Sequence, residues 1–404
     1  MDYRIRFITP GKEEITRRNL LSTGIDEHGI EILLSKSKIH IVRVEGLTAP
    51  AANILKQQLL SLGADAAVHR DTIRGETFDA PVLIISDERR LEALPSKLEH
   101  QPFKLKSLAA DIVSILERIK KPPTEIPLPG GSIDLGGGPI IMGILNVTPD
   151  SFSDGGLYNK VPRAVERALE MVEEGASIID VGGESSRPGA AELGPEEEKA
   201  RVVPVIEALA ERLDVPISID TRKADVAEAA IRAGAELVND ISALRHDARM
   251  PEVAVRYDTP VVAMHMKGTP ENMQKNPTYD DVVTEIFDWF AVRTEELIGA
   301  GLKREKIIID PGIGFGKRLE DNLDIVACLT EFRSLGFPVM VGHSRKSFIG
   351  AITGADPGER VAGGLAALGK ILDGGAQIIR VHDVKETADY IKVWGKIRGR
   401  EEKP

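Results

Sequence analysis

From residue 139 onward the chain alternates short apolar runs with longer amphipathic ones, and each short run ends in polar residues. The short runs are IIMGILNV (Ile140–Val147), SIIDVG (Ser177–Gly182), PISID (Pro216–Asp220), LVNDI (Leu237–Ile241), PVVAMH (Pro260–His265), IIIDPG (Ile307–Gly312), PVMVGHS (Pro338–Ser344) and QIIRVHD (Gln377–Asp383). Continuous runs of this length, rich in β-branched residues, suit strands buried on both faces of a parallel sheet. The stretches between them, such as RAVERALEMVEEGA and KADVAEAAIRAGA, carry helical spacing and close on a glycine stop. Eight strand–helix units in about 260 residues predict a closed (β/α)₈ barrel, the TIM barrel, over 139–400. An open doubly wound sheet needs no particular strand number, so the count of eight favours closure.

The first 120 residues follow a different pattern. Strand-like runs IHIVRV (Ile39–Val44) and APVLIIS (Ala80–Ser86) stand among helix-like stretches at Asn53–Gly63 and Leu108–Ile119. Residues 1–120 therefore read as a small α/β domain with no assignable chemistry. Lys120 to Pro139 holds five prolines and five glycines. That density predicts an irregular linker over 121–138, and a barrel beginning near Ser132 should then fold alone.

Composition narrows the function. Apolar residues make up 42% of the 404, enough for sizeable cores. A net charge of −11 speaks against nonspecific nucleic-acid or anionic-membrane partners, leaving room for a local basic pocket. No apolar run reaches membrane-spanning length and MDYRIRFITPGKEE lacks a signal-peptide pattern, so a cytoplasmic protein is expected. The single cysteine, Cys328 in LDIVACLTEF, can form no intramolecular disulfide and reads as core packing.

Active sites of such barrels lie at the carboxyl ends of the strands. There the runs carry Asn146, Asp180, Asp220, Asn239 with Asp240, His265, Asp310, Ser344 with Arg345 and Lys346, and Arg380 with His382. One Asp at a strand end is usually a cap or turn residue. Polar groups at all eight ends point to a site. Asp220, Asn239, Asp310 and Lys346 suit a flat, nitrogen-rich heterocycle, because a carboxylate can accept two N–H bonds from an aminopyrimidine edge. Asn146, Arg187, Arg380 and His382 suit a polyanion, with strand eight in the region where these barrels often hold phosphate. DPGIGFGK (Asp310–Lys317) lacks the spacing of a phosphate loop, so its glycines are expected to serve a tight turn. Zinc catalysis would want a histidine pair at strand one, where this chain has Asn146 and Val147.

Together MGILNVTPDSFSDGG, IIDVGGESSRPGA, ISIDTRKADV, LVNDIS, MHMKGTP, IIIDPGIGFGK, VGHSRKSFIG and RVHDV resemble the dihydropteroate synthases, from about Pro139 to Val384. The resemblance implies a transferase of folate biosynthesis and a sulfonamide target. It would join 7,8-dihydropterin-6-ylmethyl diphosphate to 4-aminobenzoate, forming 7,8-dihydropteroate and pyrophosphate. It places the pterin against Asp220, Asn239, Met264, Asp310, Phe315 and Lys346. The diphosphate falls to Ser186, Ser344, Arg380 and His382, with Arg187 closing over it, and Mg²⁺ to Asn146. Lys346, Arg380, Asp220 and Asp310 would carry the chemistry. Where the family has Thr, Ser186 keeps the hydroxyl and loses a methyl. A homodimer is also implied.

The loop TPDSFSDGG is read as a lid in which Asp150 and Asp154 meet the metal or its waters and Phe152 covers the arylamine. Two alternatives share the pterin pocket: a synthase using a ribosylated arylamine, and a methyltetrahydrofolate–corrinoid methyltransferase. The latter would have no need of NVTPDSFSDGG or of the SRPG arginine.

Overall fold

The computed structural model describes residues 13–76, 80–147, 160–184 and 192–398, and the chain divides into two compact units, Met1–Lys120 and Lys121–Pro404. The first unit opens with α1 (Glu13–Leu21) and α2 (Glu27–Ser37), the latter capped by Asp26 accepting the Gly29 N–H at 2.8 Å. It continues through β1 (Ile39–Val44), α3 (Ala49–Leu62), β2 (Asp65–Ala67), β3 (Val82–Asp87), α4 (Glu88–Leu98) and α5 (Leu105–Lys120). The strands form an antiparallel sheet in the order β1-β3-β2. Period-two alternation sends Val82 and Ile84 into a core with Leu55, Leu59, Leu91, Leu94, Leu98 and Leu105. Ile39 and Ile41 remain exposed on the other face.

The second unit begins with a correction. Residues 121–138, expected to be irregular, contain an antiparallel hairpin of β4 (Glu125–Pro127) and β5 (Ser132–Asp134), with Ile126 opposite Ile133. The prolines and glycines build the turn, where Leu128 N–H donates to the Gly131 carbonyl at 2.9 Å. Ile126, Leu128, Ile133 and Leu135 all point one way and pack against Met142, Ile178, Leu237, Val262, Ile308, Met340 and Ile378. Those seven are the lowest inward-facing side chains of the barrel strands. The hairpin is its floor.

The strands are β6 (Ile140–Asn146), β7 (Ile178–Gly182), β8 (Ile217–Asp220), β9 (Leu237–Asp240), β10 (Val261–Met264), β11 (Ile307–Asp310), β12 (Met340–Val341) and β13 (Ile378–Val381). Neighbours pair in parallel in chain order, β13 returns to β6, and an isolated bridge between Ile309 and Val339 links β11 to the β12 segment. The barrel is closed. Around it run α6 (Lys160–Glu174), α7 (Pro195–Ala210), α8 (Ala224–Arg232), α9 (Met250–Arg256), α10 (Val282–Gly299), α11 (Leu319–Ala327), α12 (Ser347–Thr353), α13 (Val361–Asp373) and α14 (Val384–Arg398). Among the described residues one α-helix follows each strand except β12, which is followed by two. Strand residues facing the helices, such as Ile219, Ile307 and Ile309, are fully buried, each worth roughly 1.5–3 kcal/mol relative to exposure.

The loop after β11 is the most constrained connection. Gly312 and Gly316 adopt φ of +70° and +66°. A Cβ at Gly312 would lie 2.0 Å from the His265 carbonyl oxygen, and one at Gly316 2.3 Å from that of Lys267. Both glycines are required where this loop crosses the one after β10. Lys317 turns inward and donates to the carbonyls of Phe315 at 3.1 Å and His265 at 3.3 Å. It holds two loops together, as a structural lysine does, and the tight-turn reading of DPGIGFGK stands.

Two outcomes follow from this architecture. A chain starting at Lys121 should unfold cooperatively as a barrel. One starting at Ser132 loses Ile126 and Leu128 from the floor and should melt well below it, since each buried side chain is worth roughly 1.5–3 kcal/mol. Equal melting temperatures in scanning calorimetry would contradict the floor. Gly312→Ala should destabilise by at least about 1–3 kcal/mol through its left-handed φ alone, read as a lowered urea midpoint.

Candidate active site

The site follows from the pleat of the strands. On β7, β9, β10, β11 and β13 the inward residue above the floor is apolar: Ile178, Leu237, Val262, Ile308 and Ile378. Two residues on, the same face presents Asp180, Asn239, Met264, Asp310 and Arg380, and Asp220 takes that level on β8. Register pairs Asp220 with Asn239, Met264 with Asp310 and Gly182 with Asp220 across neighbouring strands. Six of the residues assigned from sequence are thereby brought to one end of one barrel.

Arg380 organises this layer. Its Nε donates to Asp180 Oδ2 and its Nη2 to Asp220 Oδ2, both at 2.6 Å. Asn239 Nδ2 donates to the same Asp180 oxygen at 3.0 Å. Burial opposes the charge on Arg380, but the two carboxylates outweigh it and raise the guanidinium pKa. Burial likewise pushes the Asp220 carboxyl up, against the pull of Arg380 and with added repulsion from Asp180. Asp180 is fully buried, and its second oxygen has no hydrogen-bond partner among the described residues. The carboxylate cannot donate, so Asn239 must present its amide nitrogen to it. The Asn239 carbonyl is then what remains for a ligand, which makes Asn239 an acceptor where the sequence reading had it meet ring acceptors.

Across the mouth, Asp310 is buried, accepts the Gly312 N–H at 2.7 Å, and has its carboxyl pushed up by burial. Lys346, at the N-terminus of α12, lies with Nζ 3.9 Å from the centre of the Phe315 ring. Burial first and Arg380 second push its pKa down to about 8. Phe315 and Met264 belong to an apolar cluster with Ile241, Met266 and Met273. The mouth thus has carboxylates and an amide on one side and thioethers with one aromatic ring on the other. Behind it, burial pushes His265 down to about 2 and Lys317 to about 7, and the two side-chain nitrogens stand 3.0 Å apart.

His382 follows β13 and is pushed down to about 4, by burial first and then by Arg345 and Arg380. It is a neutral imidazole at pH 7. Ser344 Oγ accepts the His382 backbone N–H at 3.3 Å and lies 3.1 Å from the ring Nδ1. With the amide donating to it, the serine hydroxyl can give its own proton to Nδ1, which leaves the ring proton on Nε2. Ser344, expected to bind substrate, is seen here setting the tautomer of its neighbour. Asn146 ends β6, and a side chain at Gly182 would meet both its Oδ1 (3.7 Å) and Asp220 Oδ2 (3.8 Å). Both oxygens border one space. Among the described residues no group of three or more His, Cys, Asp or Glu side chains could hold a metal. A hard cation that arrives with its own phosphate oxygens and waters needs only an oxygen or two from the protein, and these residues fit that.

Asp150, Phe152, Asp154, Ser186 and Arg187 lie outside the described residues. Arg380, assigned to an anion from sequence, is set between two carboxylates. Asp180 had been noted only as a polar strand end, although the alternation Ile178, Asp180, Gly182 on the inward face would have placed it in the layer.

Residues 142–382 match the model of the family described as pterin binding enzyme. The dihydropteroate synthase of Escherichia coli K12 is 48% identical over 264 residues, 65% of this chain and 93% of that protein. A probable bifunctional folylpolyglutamate synthase/dihydropteroate synthase of Haloferax volcanii is 40% identical over 351 residues, 85% of this chain and 41% of that protein. The latter match is longer than the barrel unit and reaches into the first one. The dihydropteroate synthase of Xanthomonas albilineans, solved with 4-aminobenzoic acid, aligns with a TM-score of 0.64 at 43% identity, covering 68% of this chain and 98% of that one. No helix among the described residues is long and apolar enough to cross a membrane. With the family model spanning the barrel and the polar layer built from the motifs of that family, the chain belongs to the pterin binding enzymes and, within them, to the dihydropteroate synthases.

Proposed function

We propose that the barrel mouth binds 7,8-dihydropterin-6-ylmethyl diphosphate with its ring in the polar layer and couples it to 4-aminobenzoate by a dissociative substitution. The observation that carries this reading is the set of convergent acceptors facing an apolar wall. Asp220, Asp310 and the Asn239 carbonyl would accept the N–H groups of an aminopyrimidine edge, Lys346 would donate to a ring acceptor, and Met264 and Phe315 would pack on the ring face.

In the reaction the bond from the methylene carbon to the diphosphate oxygen breaks, and pyrophosphate leaves with the electron pair. The positive charge left on the methylene is shared with the electron-rich dihydropterin and stabilised by the carboxylates of Asp220 and Asp310. The arylamine nitrogen then attacks with its lone pair and sheds a proton. No covalent enzyme intermediate is needed. The leaving group would be met by Arg380, anchored through Asp180, by the Nε2 proton of neutral His382, and by Ser186 and Arg187. Mg²⁺, held at Asn146, would supply further neutralisation of the diphosphate charge. The family resemblance further suggests a cytoplasmic homodimer. Exposed Val393 and Ile397 on α14, one turn apart, form the surface to examine by sedimentation.

Purified protein with pterin diphosphate, Mg²⁺ and 4-aminobenzoate should release pyrophosphate and form dihydropteroate, with the ribosylated arylamine reacting much more slowly. The reverse preference would move the protein to the ribosylated branch, and no coupling with either amine would overturn the assignment. Asp310→Asn should fold normally yet weaken pterin binding by roughly 1.5–3 kcal/mol, the worth of a charge-assisted bond. Unchanged affinity in titration calorimetry would remove Asp310 from the pterin edge.

A further inference from the structure

Outside the polar layer, a cluster of charged side chains holds both ends of the segment 185–191. Glu184 is the last described residue before it, and Glu192 is the first after it. Glu184 Oε1 accepts the Leu193 N–H at 2.9 Å, which ties the entering strand to the departing chain. Its Oε2 receives Lys223 Nζ at 3.0 Å and Arg222 Nη2 at 3.3 Å. The same Arg222 nitrogen lies 3.7 Å from Glu192 Oε1, where His246 Nε2 also approaches to 3.2 Å. Burial works against the Glu184 carboxylate, yet the Leu193 N–H, Lys223 and Arg222 outweigh it and hold its pKa below the usual range.

The base of the cluster is rigid. Lys223 also contacts Glu198 Oε2 at 2.5 Å, and Glu198 is fully buried in the first turn of α7. A Cβ at Gly183 would fall 2.7 Å from Val202, so the chain runs hard against α7 there, and Arg201 donates to the Gly183 carbonyl at 3.0 Å. Arg222 itself stands two residues beyond Asp220, and the intervening Thr221 N–H donates to the Asn239 carbonyl at 3.0 Å. One side chain therefore links both ends of the segment to the strand end that carries Asp220.

We infer that Arg222 is a positioning residue for the segment 185–191: by pairing with Glu184 and Glu192 it fixes where Ser186 and Arg187 are offered to the barrel mouth. The inference rests on the reading that Ser186 and Arg187 serve the diphosphate. Neither Arg222 nor Glu192 is placed against substrate.

The test is a double-mutant cycle on the full chain with two readouts, coupling kinetics and calorimetric binding of a pterin without phosphates. Arg222→Gln should lower kcat/KM for pterin diphosphate roughly tenfold, as expected for groups acting through one another, and leave pterin affinity and melting temperature near the parent values. In an Arg187→Ala background the same substitution should have no further effect. Glu192→Ala, at a half-exposed position with little risk to folding, should give a smaller loss of the same kind. Full activity in Arg222→Gln overturns the inference. So does an equal loss in both backgrounds, or a loss of pterin affinity that matches the loss of coupling. If Arg187→Ala alone leaves coupling intact, the diphosphate role of Arg187 falls and takes the inference with it. If Arg187→Ala is impaired and Arg222→Gln is not, only the inference falls.

Discussion

A guanidinium shared by two buried carboxylates makes the upper interior of this barrel possible. Asp180 and Asp220 project into a space whose lower level is apolar and sealed by a hairpin, and each would be costly to desolvate alone. Arg380 offsets both at once with two bonds of 2.6 Å, and Asn239 adds a third to Asp180. The pair of carboxylates also fixes the plane of the guanidinium, so a side chain that otherwise samples many rotamers is already in place. Removing either acid would leave the other charges of the layer mismatched, which binds β7, β8, β9 and β13 into one electrostatic unit.

Much of this was legible in the amino-acid order because the barrel strands are locally explicit. Ile307-Ile308-Ile309-Asp310 is an apolar run with a carboxylate at its end, and nothing but burial on both faces followed by an active-site rim makes sense of it. Relations between strands were less legible. Asp180 and Arg380 are 200 positions apart, and only closure of the barrel brings them together, so Asp180 passed as one polar strand end among eight. Asn239 was named correctly, but its donor direction is set by Asp180 and cannot be read from LVND. The neutral state of His382 depends on burial and on Arg345 and Arg380, again properties of the folded molecule.

The hairpin was missed for a different reason. Proline and glycine density was given more weight than the alternation Ile126, Leu128, Ile133, Leu135, which flanks Pro129-Gly130-Gly131 as a turn. Composition described the turn correctly and hid the strands beside it. In the first unit the strands β1 and β3 and the helices α3 and α5 follow the expected runs. Helices α1 and α4 were not foreseen. Each carries only a few apolar side chains, and charged neighbours such as Glu88, Arg89, Arg90 and Glu92 obscure the spacing that would mark a helical face.

The floor has a consequence for traffic. A barrel stoppered by Ile126, Leu128, Ile133 and Leu135 is a blind well, with a single opening at the carboxyl ends of its strands. Whatever settles in the polar layer must pass the rim on the way in and on the way out. A second reactant meeting it from above stands in that path. Arrival therefore has an order imposed by shape alone: the deeper partner first and the shallower one second, with departure in reverse until a bond between them makes the two leave as one.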